Sequence, residues 1–420
     1  MKQTAWAVER DAEHGREVLL LVSLEADADA PRAPVAVNLA IDRSASMRGV
    51  PLLAAIQAAQ ALVERATPRD YLGLLTFDAE AEQVLPVRAM DATAKIQFLR
   101  ALSRLESGEG TALHEAVERG AEAVRRVFVP GARPQVLMLT DGEPSVGPSH
   151  LPEFRALGGR IAESGVVMHA LGLGRHYLPD ILDALTAPAG TGFVHVDDPE
   201  GLPLAVAAMS AELFGEVASD ARVYVLPTGF ADLRCRHRYP ARVEGDVMSA
   251  ALGSVSQSFA RRVLFAGRLE DSVGSAWSLG VTTSYVENGD SRRASVPLTR
   301  LEADSDAGRF VRAVSAELEL VSAESAAWKA LGRKQQDAAE QALEAADLAL
   351  YKLARLGAPE VMPQRHMERL ADLRRFVEKR AAQPQGLVMR RARSEVSRIT
   401  LSRVGPSVAV PVLNPWKSED

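Results

Sequence analysis

The spacing of apolar positions changes character along the chain, and each regime predicts a different kind of element. Residues 35–42 are an almost unbroken apolar run with no helical stripe, which predicts a strand buried on both faces. Residues 51–65, rich in Ala, Leu and Gln, predict a helix. The alternation then continues. Strands are predicted at 71–77, at 83–87 as its hairpin partner, and at 135–140, 166–171 and 193–196. Helices are predicted at 92–105, 111–128, 151–163, 178–187 and 202–214. Strands separated by helices indicate an α/β fold, a doubly wound and mostly parallel sheet with helices on both faces.

Past residue 216 the pattern shortens. The runs ARVYVLP, DLRCRHRY, RRVLFAGRL, WSLGVTTSYV and ASVPLT are separated by Gly, Asp, Asn and Ser, which suggests an antiparallel β-sandwich. One early strand, at 17–24, has no place in the α/β order. It is expected to pair with the sandwich, so that the α/β domain is inserted in it. Residues 306–382 are helical in composition, with a break at 356–364, and predict a hairpin or small bundle. Trp328, Leu331, Leu343, Leu348 and Leu350 read as its packing stripe. The expected division is 1–33 (strands of the sandwich), 34–215 (the α/β domain), 216–304 (the sandwich), 305–382 (helices) and 383–420 (a basic, Pro-containing tail).

Composition adds limits. Across 420 residues, 47% are apolar, 25% are charged and the net charge is −6, an ordinary balance that argues against a chain built around nucleic-acid phosphates. The single cysteine, Cys235, makes no disulfide within the chain and reads as a buried thiol. Charges interrupt the first fifteen residues, and no run reaches a membrane span, so a cytoplasmic protein is expected.

The candidate chemistry lies at strand ends. The strand at 35–42 stops in Asp42, followed by Ser44 and Ser46. A glycine-rich loop delivers Thr111 to the start of the next helix, and the strand at 135–140 stops in Thr140-Asp141-Gly142. The C-terminal ends of parallel strands form the rim where ligands bind. Two carboxylates and three hydroxyls suit a hard cation, Mg²⁺ first, with Mn²⁺ and Ca²⁺ served by the same ligands. The absence of His and Cys from the set argues against zinc or copper.

These segments resemble the metal-ion-dependent adhesion site (MIDAS) of von Willebrand factor A (VWA) domains. That pattern is Asp-x-Ser-x-Ser, a Thr after a glycine-rich turn, and an Asp opening a Thr-Asp-Gly turn. Asp42, Ser44, Ser46, Thr111 and Asp141 match it, over a domain of about residues 34–215. The resemblance implies that the three hydroxyls bind a divalent metal directly and that Asp42 and Asp141 hold it through water and hydrogen bonds. A Glu or Asp of a partner protein would fill the open coordination place. It implies a non-enzymatic protein–protein interaction module, with an AAA+ ATPase or a signalling protein as the kind of partner. The β-rich flank is similar to bacterial VWA proteins of the inter-alpha-trypsin-inhibitor or calcium-activated-chloride-channel type, without implying either activity.

Plainer uses exist for each piece. Asp42 and its serines could cap the following helix, Thr111 could cap its own, and Asp141-Gly142 makes a turn. Glu109, Glu143, Arg43 and Arg48 flank the site as surface charges or as partner contacts. A phosphoryl-transfer enzyme using the strand-end Asp is the alternative, but the general-acid position two residues on is Ser44. A scaffold with an idle metal site is a third reading. The scattered histidines, including His169, His176 and His195, read as structural, and GLGRHY at 172–177 lacks the third glycine of a dinucleotide loop.

Overall fold

A computed structural model describes residues 1–357, apart from 13–14, 28, 175–176, 190, 192, 197–198, 238, 258–259, 275, 288 and 333–334, together with 367, 370–371, 373–375 and 377. The expected tail at 383–420, the segment 358–364 and His176 lie outside the described residues. The chain divides into two units, one of residues 1–30 with 217–420 and one of residues 31–216.

The chain opens with β1 (Lys2–Ala12) and β2 (Gly15–Glu25), an antiparallel pair running from Lys2 opposite Glu25 to Ala12 opposite Gly15. The sequence pattern shows only the second of these. Ala5, Trp6, Ala7 and Val8 are too short an apolar run to announce β1, which is held by pairing and by the ion pairs Arg10–Glu17 and Arg16–Glu9.

The second unit begins with β3 (Ala36–Asp42), buried at every position, then α1 (Val50–Arg65), β4 (Tyr71–Phe77) and β5 (Ala81–Ala89). It continues through α2 (Ala92–Leu102), α3 (Leu113–Arg125), β6 (Pro134–Thr140) and α4 (Leu151–Glu163). It closes with β7 (Val167–Leu173), α5 (Pro179–Thr186), β8 (Phe193–Val196) and α6 (Leu202–Leu213). The six strands order as β5-β4-β3-β6-β7-β8, all parallel except the edge strand β5. The chain first adds β4 on one side of β3 and later β6 on the other. The order therefore reverses at β3, which opens a crevice beyond its C-terminal end.

Apolar side chains of β3 such as Val37, Leu39 and Ile41 pack with α1, α2 and α6 in one core. The one polar residue of the strand, Asn38, is fully buried and exchanges two 2.9 Å hydrogen bonds with Gln83 of β5. Where the chain joins and leaves this unit, Ala33 N–H donates to the Glu216 carbonyl at 2.8 Å. Beside it, Arg32 donates both guanidinium nitrogens to buried Asp70 at 2.7 and 2.6 Å and stacks over Phe214. Burial pushes the Asp70 carboxyl up, but hydrogen bonds from Arg32 and Thr67 outweigh it and hold the group below its usual range.

The first unit resumes with β9 (Glu216–Thr228), β10 (Phe230–Cys235), β11 (Ala241–Glu244), β12 (Val247–Ser256) and β13 (Arg261–Leu269). β14 (Ser278–Glu287), β15 (Asp290–Val296) and β16 (Leu298–Leu301) complete its strands among the described residues. Two five-stranded sheets result, β10-β13-β2-β1-β16 and β11-β12-β9-β14-β15. They share a core of alternating residues, Val18, Leu20 and Val22 from one and Val223, Val225 and Val281 from the other. β2 pairs with β13, which places the α/β unit as an insertion in the sandwich. One pairing in the sandwich, β1 with β16, is parallel.

α7 (Asp306–Gly332) covers the other face of the first sheet, where Leu19, Leu21 and Leu264 meet Val311. β2 is thus buried on both faces, which explains its solid VLLLV run. α7 packs on α8 (Gln336–Arg355), and Trp328, Leu331 and Leu343 join Leu370, Leu373 and Val377 in a separate helical core. Leu350 is only partly buried there. Leu348 departs from the expected stripe: it is 57% exposed, because its place on α8 turns away from α7. Cys235 is half-buried, and that burial pushes its thiol up to about 11.

Candidate metal site

Asp42 is the last residue of β3 and is fully buried. The chain then makes a single 3-10 turn at Ala45–Met47, and α1 starts only at Val50, with Gly49 as its N-cap and no side-chain cap. Asp42, Ser44 and Ser46 are therefore not spent on capping that helix. Thr111 is not a cap either: α3 begins at Leu113 with Ala112 at its N-cap, so the helix starts two residues later than the sequence pattern suggests. The third segment follows β6, where Thr140 ends the strand and Asp141 begins the loop.

These segments meet. Ser44 N–H donates to Asp42 Oδ1 at 2.8 Å, and Thr140 Oγ1 donates to Asp42 Oδ2 at 2.5 Å. Ser46 Oγ donates to Asp141 Oδ1 at 2.7 Å and lies 3.0 Å from Ser44 Oγ. Gly142 marks the point of convergence. A methyl group placed on it would stand 3.3 Å from Thr111 Oγ1, 3.5 Å from Asp42 Oδ2 and 3.6 Å from Ser46 Oγ. Oxygens from all three segments thus border one small space, and a side chain at 142 would enter it. Ser44, Thr111 and Asp141 are buried and Ser46 is exposed, so the space opens outward at Ser46.

The electrostatics match a site short of positive charge. Burial pushes the Asp42 carboxyl from an ordinary 3.8 up to about 6. Hydrogen bonds from Thr140 and Ser44 offset part of that rise, and Asp141 adds repulsion. A cation among these oxygens would relieve both burial and repulsion. Among the described residues no three His, Cys, Asp or Glu side chains gather as a metal-holding group. The strand-end set differs in that it draws most of its oxygens from hydroxyls.

The loops are tied together by Asp78 and Ser145, which the sequence does not single out, and by Arg43, which the sequence reads as a surface charge or partner contact and the structure turns inward. Arg43 forms an ion pair with Asp78 at 3.0 Å, and Ala112 N–H donates to the Asp78 carbonyl at 2.6 Å. Thr111 N–H donates to Ser145 Oγ at 2.9 Å. Asp78 shows no local signal of this role; it follows β4 and becomes important only because β4 lies beside β3. On the outer rim Arg48 and Glu109 form an exposed pair at 3.4 Å. Glu143 is exposed, while His169 is buried in β7 and bonds to Gln135 at 2.9 Å. No described helix is long and apolar enough to cross a membrane.

The chain is similar to known proteins in sequence and in fold. The family profile of the von Willebrand factor type A domain matches residues 37–207. An uncharacterised protein of Synechocystis is 29% identical over 187 residues, which is 44% of this chain and 43% of that protein, so the chain spans less than half the length of this relative. Among solved structures, a von Willebrand factor type A protein of Catenulispora acidiphila superposes with a TM-score of 0.66 at 16% identity, over 94% of this chain and 95% of that one. The ArnB paralog VWA2 of Sulfolobus acidocaldarius gives a TM-score of 0.53 at 17% identity, over 96% of each chain. The human COPII-coat protein Sec24c gives 0.52 at 13% identity, over 90% of this chain and 60% of that one. These likenesses extend beyond the inserted unit and show the fold alone. The chain carries a von Willebrand factor type A domain at residues 37–207.

Proposed function

We propose that this protein is a non-enzymatic docking module that binds an acidic side chain of a partner protein through a divalent cation. Asp42, Ser44, Ser46, Thr111 and Asp141 would hold the ion. The observation that carries the reading is the convergence of Thr111, Asp42 and Ser46 oxygens around Gly142, beside a buried carboxylate whose proton affinity is raised. An all-oxygen set of this kind suits Mg²⁺, which keeps part of its water shell. When bound, the ion supplies a concentrated positive charge that a Glu or Asp carboxylate can reach from the open side at Ser46.

The chain's own residues define the rest. Asp42 is locked by Thr140 and by the Ser44 N–H, so it orients rather than moves. Ser46, hydrogen-bonded to buried Asp141, presents the exposed edge of the set. The same facts weigh against phosphoryl transfer. A fully buried Asp42 with both oxygens engaged is poorly presented as a nucleophile, and Ser44 cannot act as the general acid. An AAA+ ATPase or a signalling protein in the cytoplasm is the kind of partner the resemblance suggests.

The test is a pull-down from native lysate in Mg²⁺ and in EDTA, with wild type, Asp42→Ala and Asp141→Ala. Circular dichroism establishes that the variants are folded. A partner lost in EDTA and with both variants is the expected result. A partner kept under every condition would move binding to the sandwich or the helices and leave the metal site idle.

A further inference from the structure

We infer that the Arg43–Asp78 ion pair, which contributes no oxygen to the metal, sets the spacing of the site and so makes it select Mg²⁺ over the larger Ca²⁺. The inference rests on the metal-binding reading above and assigns two positioning residues to it.

Asp78 follows the last residue of β4, the strand beside β3, and is the point to which two site segments are fastened. The first segment is held through Arg43, which sits between Asp42 and Ser44. Its N–H donates to the Phe77 carbonyl at 2.8 Å, and its guanidinium pairs with Asp78 Oδ2 at 3.0 Å. The second is held through Ala112, next to Thr111, whose N–H donates to the Asp78 carbonyl at 2.6 Å. The two segments are also joined directly, since Gly108 N–H donates to the Arg43 carbonyl at 2.7 Å. Gly108 packs so closely on Asp78 that a Cβ there would lie 1.9 Å from Oδ2. Only glycine leaves the carboxylate room to reach Arg43.

The pair is partly shielded from water, with side-chain exposures of 28% for Arg43 and 14% for Asp78. Arg43 Nε is buried with no hydrogen-bond partner, and the ion pair with Asp78 is the contact that engages the outer end of the guanidinium. The distance between the Ser44/Ser46 hydroxyls and the Thr111 hydroxyl therefore follows from a rigid frame and not from two free loops.

Rigidity is what separates the two ions. Mg²⁺ requires near-octahedral oxygens at roughly 2.0–2.1 Å, whereas Ca²⁺ accepts roughly 2.3–2.6 Å in flexible geometry. Loosening the frame should penalise Mg²⁺ far more than Ca²⁺. A residue that only stabilised the fold would affect both ions alike.

The experiment is calorimetric titration of the full chain with MgCl₂ and, separately, CaCl₂. The proteins are wild type, Asp78→Asn, the charge-balanced pair Arg43→Leu with Asp78→Leu, and Asp141→Ala. Melting in EDTA checks folding, and Arg43→Lys, which keeps the charge but shortens the reach, replaces any variant that does not fold. The expected result is a loss of Mg²⁺ affinity of about tenfold or more, the size typical of groups that support metal ligands, with Ca²⁺ affinity changed by less than about threefold. Equal losses for both ions, or unchanged affinity for both, would overturn the inference while Asp141→Ala still abolishes binding. If wild type takes up neither ion, or Asp141→Ala binds as wild type does, the metal-binding reading falls and this inference with it.

Discussion

Replacing Asp42 by Asn should have opposite consequences with and without metal. The carboxyl of Asp42 is fully buried, and burial lifts it from 3.8 to about 6. A carboxyl raised in the folded state favours folding when protonated. Its stability contribution is fully present below 3.8 and is lost as pH rises through about 6. At roughly 1.4 kcal/mol per tenfold change in proton affinity, the ionised group costs the metal-free fold about 3 kcal/mol at pH 7.5. An amide avoids that cost and is nearly isosteric. Its oxygen can accept from Ser44 N–H, and its NH₂ can donate to Thr140 Oγ1 once that hydroxyl turns.

In EDTA at pH 7.5, Asp42→Asn should therefore melt higher than wild type, by on the order of 5–10 °C for a unit of this size. Near pH 4 the two curves should approach each other. Saturating Mg²⁺ should raise wild type, by about 2.7 kcal/mol at a hundred times Kd, and leave the variant where it was. Differential scanning calorimetry at both pH values, with and without Mg²⁺, measures all four conditions. A variant less stable than wild type in EDTA at pH 7.5 would refute the burial argument. A variant with a full Mg²⁺ response would refute the place of Asp42 in the metal site.

Other perturbations probe separate parts of the structure. Asp141→Ala removes the acceptor of the Ser46 hydroxyl and should abolish the Mg²⁺-dependent rise in melting temperature, read by thermal shift, with little change in EDTA. Gly142→Ala places a methyl 3.3 Å from Thr111 Oγ1 and should lower Mg²⁺ affinity about tenfold by calorimetry, since that methyl enters the space the oxygens border. Asp70→Asn leaves Arg32 short of its counter-ion and should destabilise the inserted unit by about 3 kcal/mol in urea at pH 7. Because Asp70 is held below its usual range, its contribution is present above 3.8 and disappears as pH falls through the lower folded value, so the difference between variant and wild type should shrink in acid. Leu20→Ala, in the sandwich core, should cost about 2–5 kcal/mol in the same urea assay.

Solid apolar runs were legible as strands because both faces of β3, β4, β6 and β7 are covered, and a strand covered on both sides has no polar alternation to confuse the pattern. β1 and β12 were not legible. Their residues are small or half-exposed, and pairing with β2 and β9 supplies what local propensity does not. Leu348 shows the converse: an apolar residue in a helical stripe can still face solvent when the partner helix lies elsewhere.

By itself the sequence determined the alternation of elements and the five oxygen side chains at strand ends, because both are carried by residue type and spacing along the chain. Only the tertiary structure decided that Asp42, Ser46 and Thr111 border one space at Gly142, that Thr111 and the serines are free of helix capping, and that Asp78 fastens two loops. The physical reason is distance in the chain: Asp42 meets Thr140 and Ser46 meets Asp141 across separations of 98 and 95 residues. Those contacts follow from β3 lying between β4 and β6, an order that no local pattern of residues encodes.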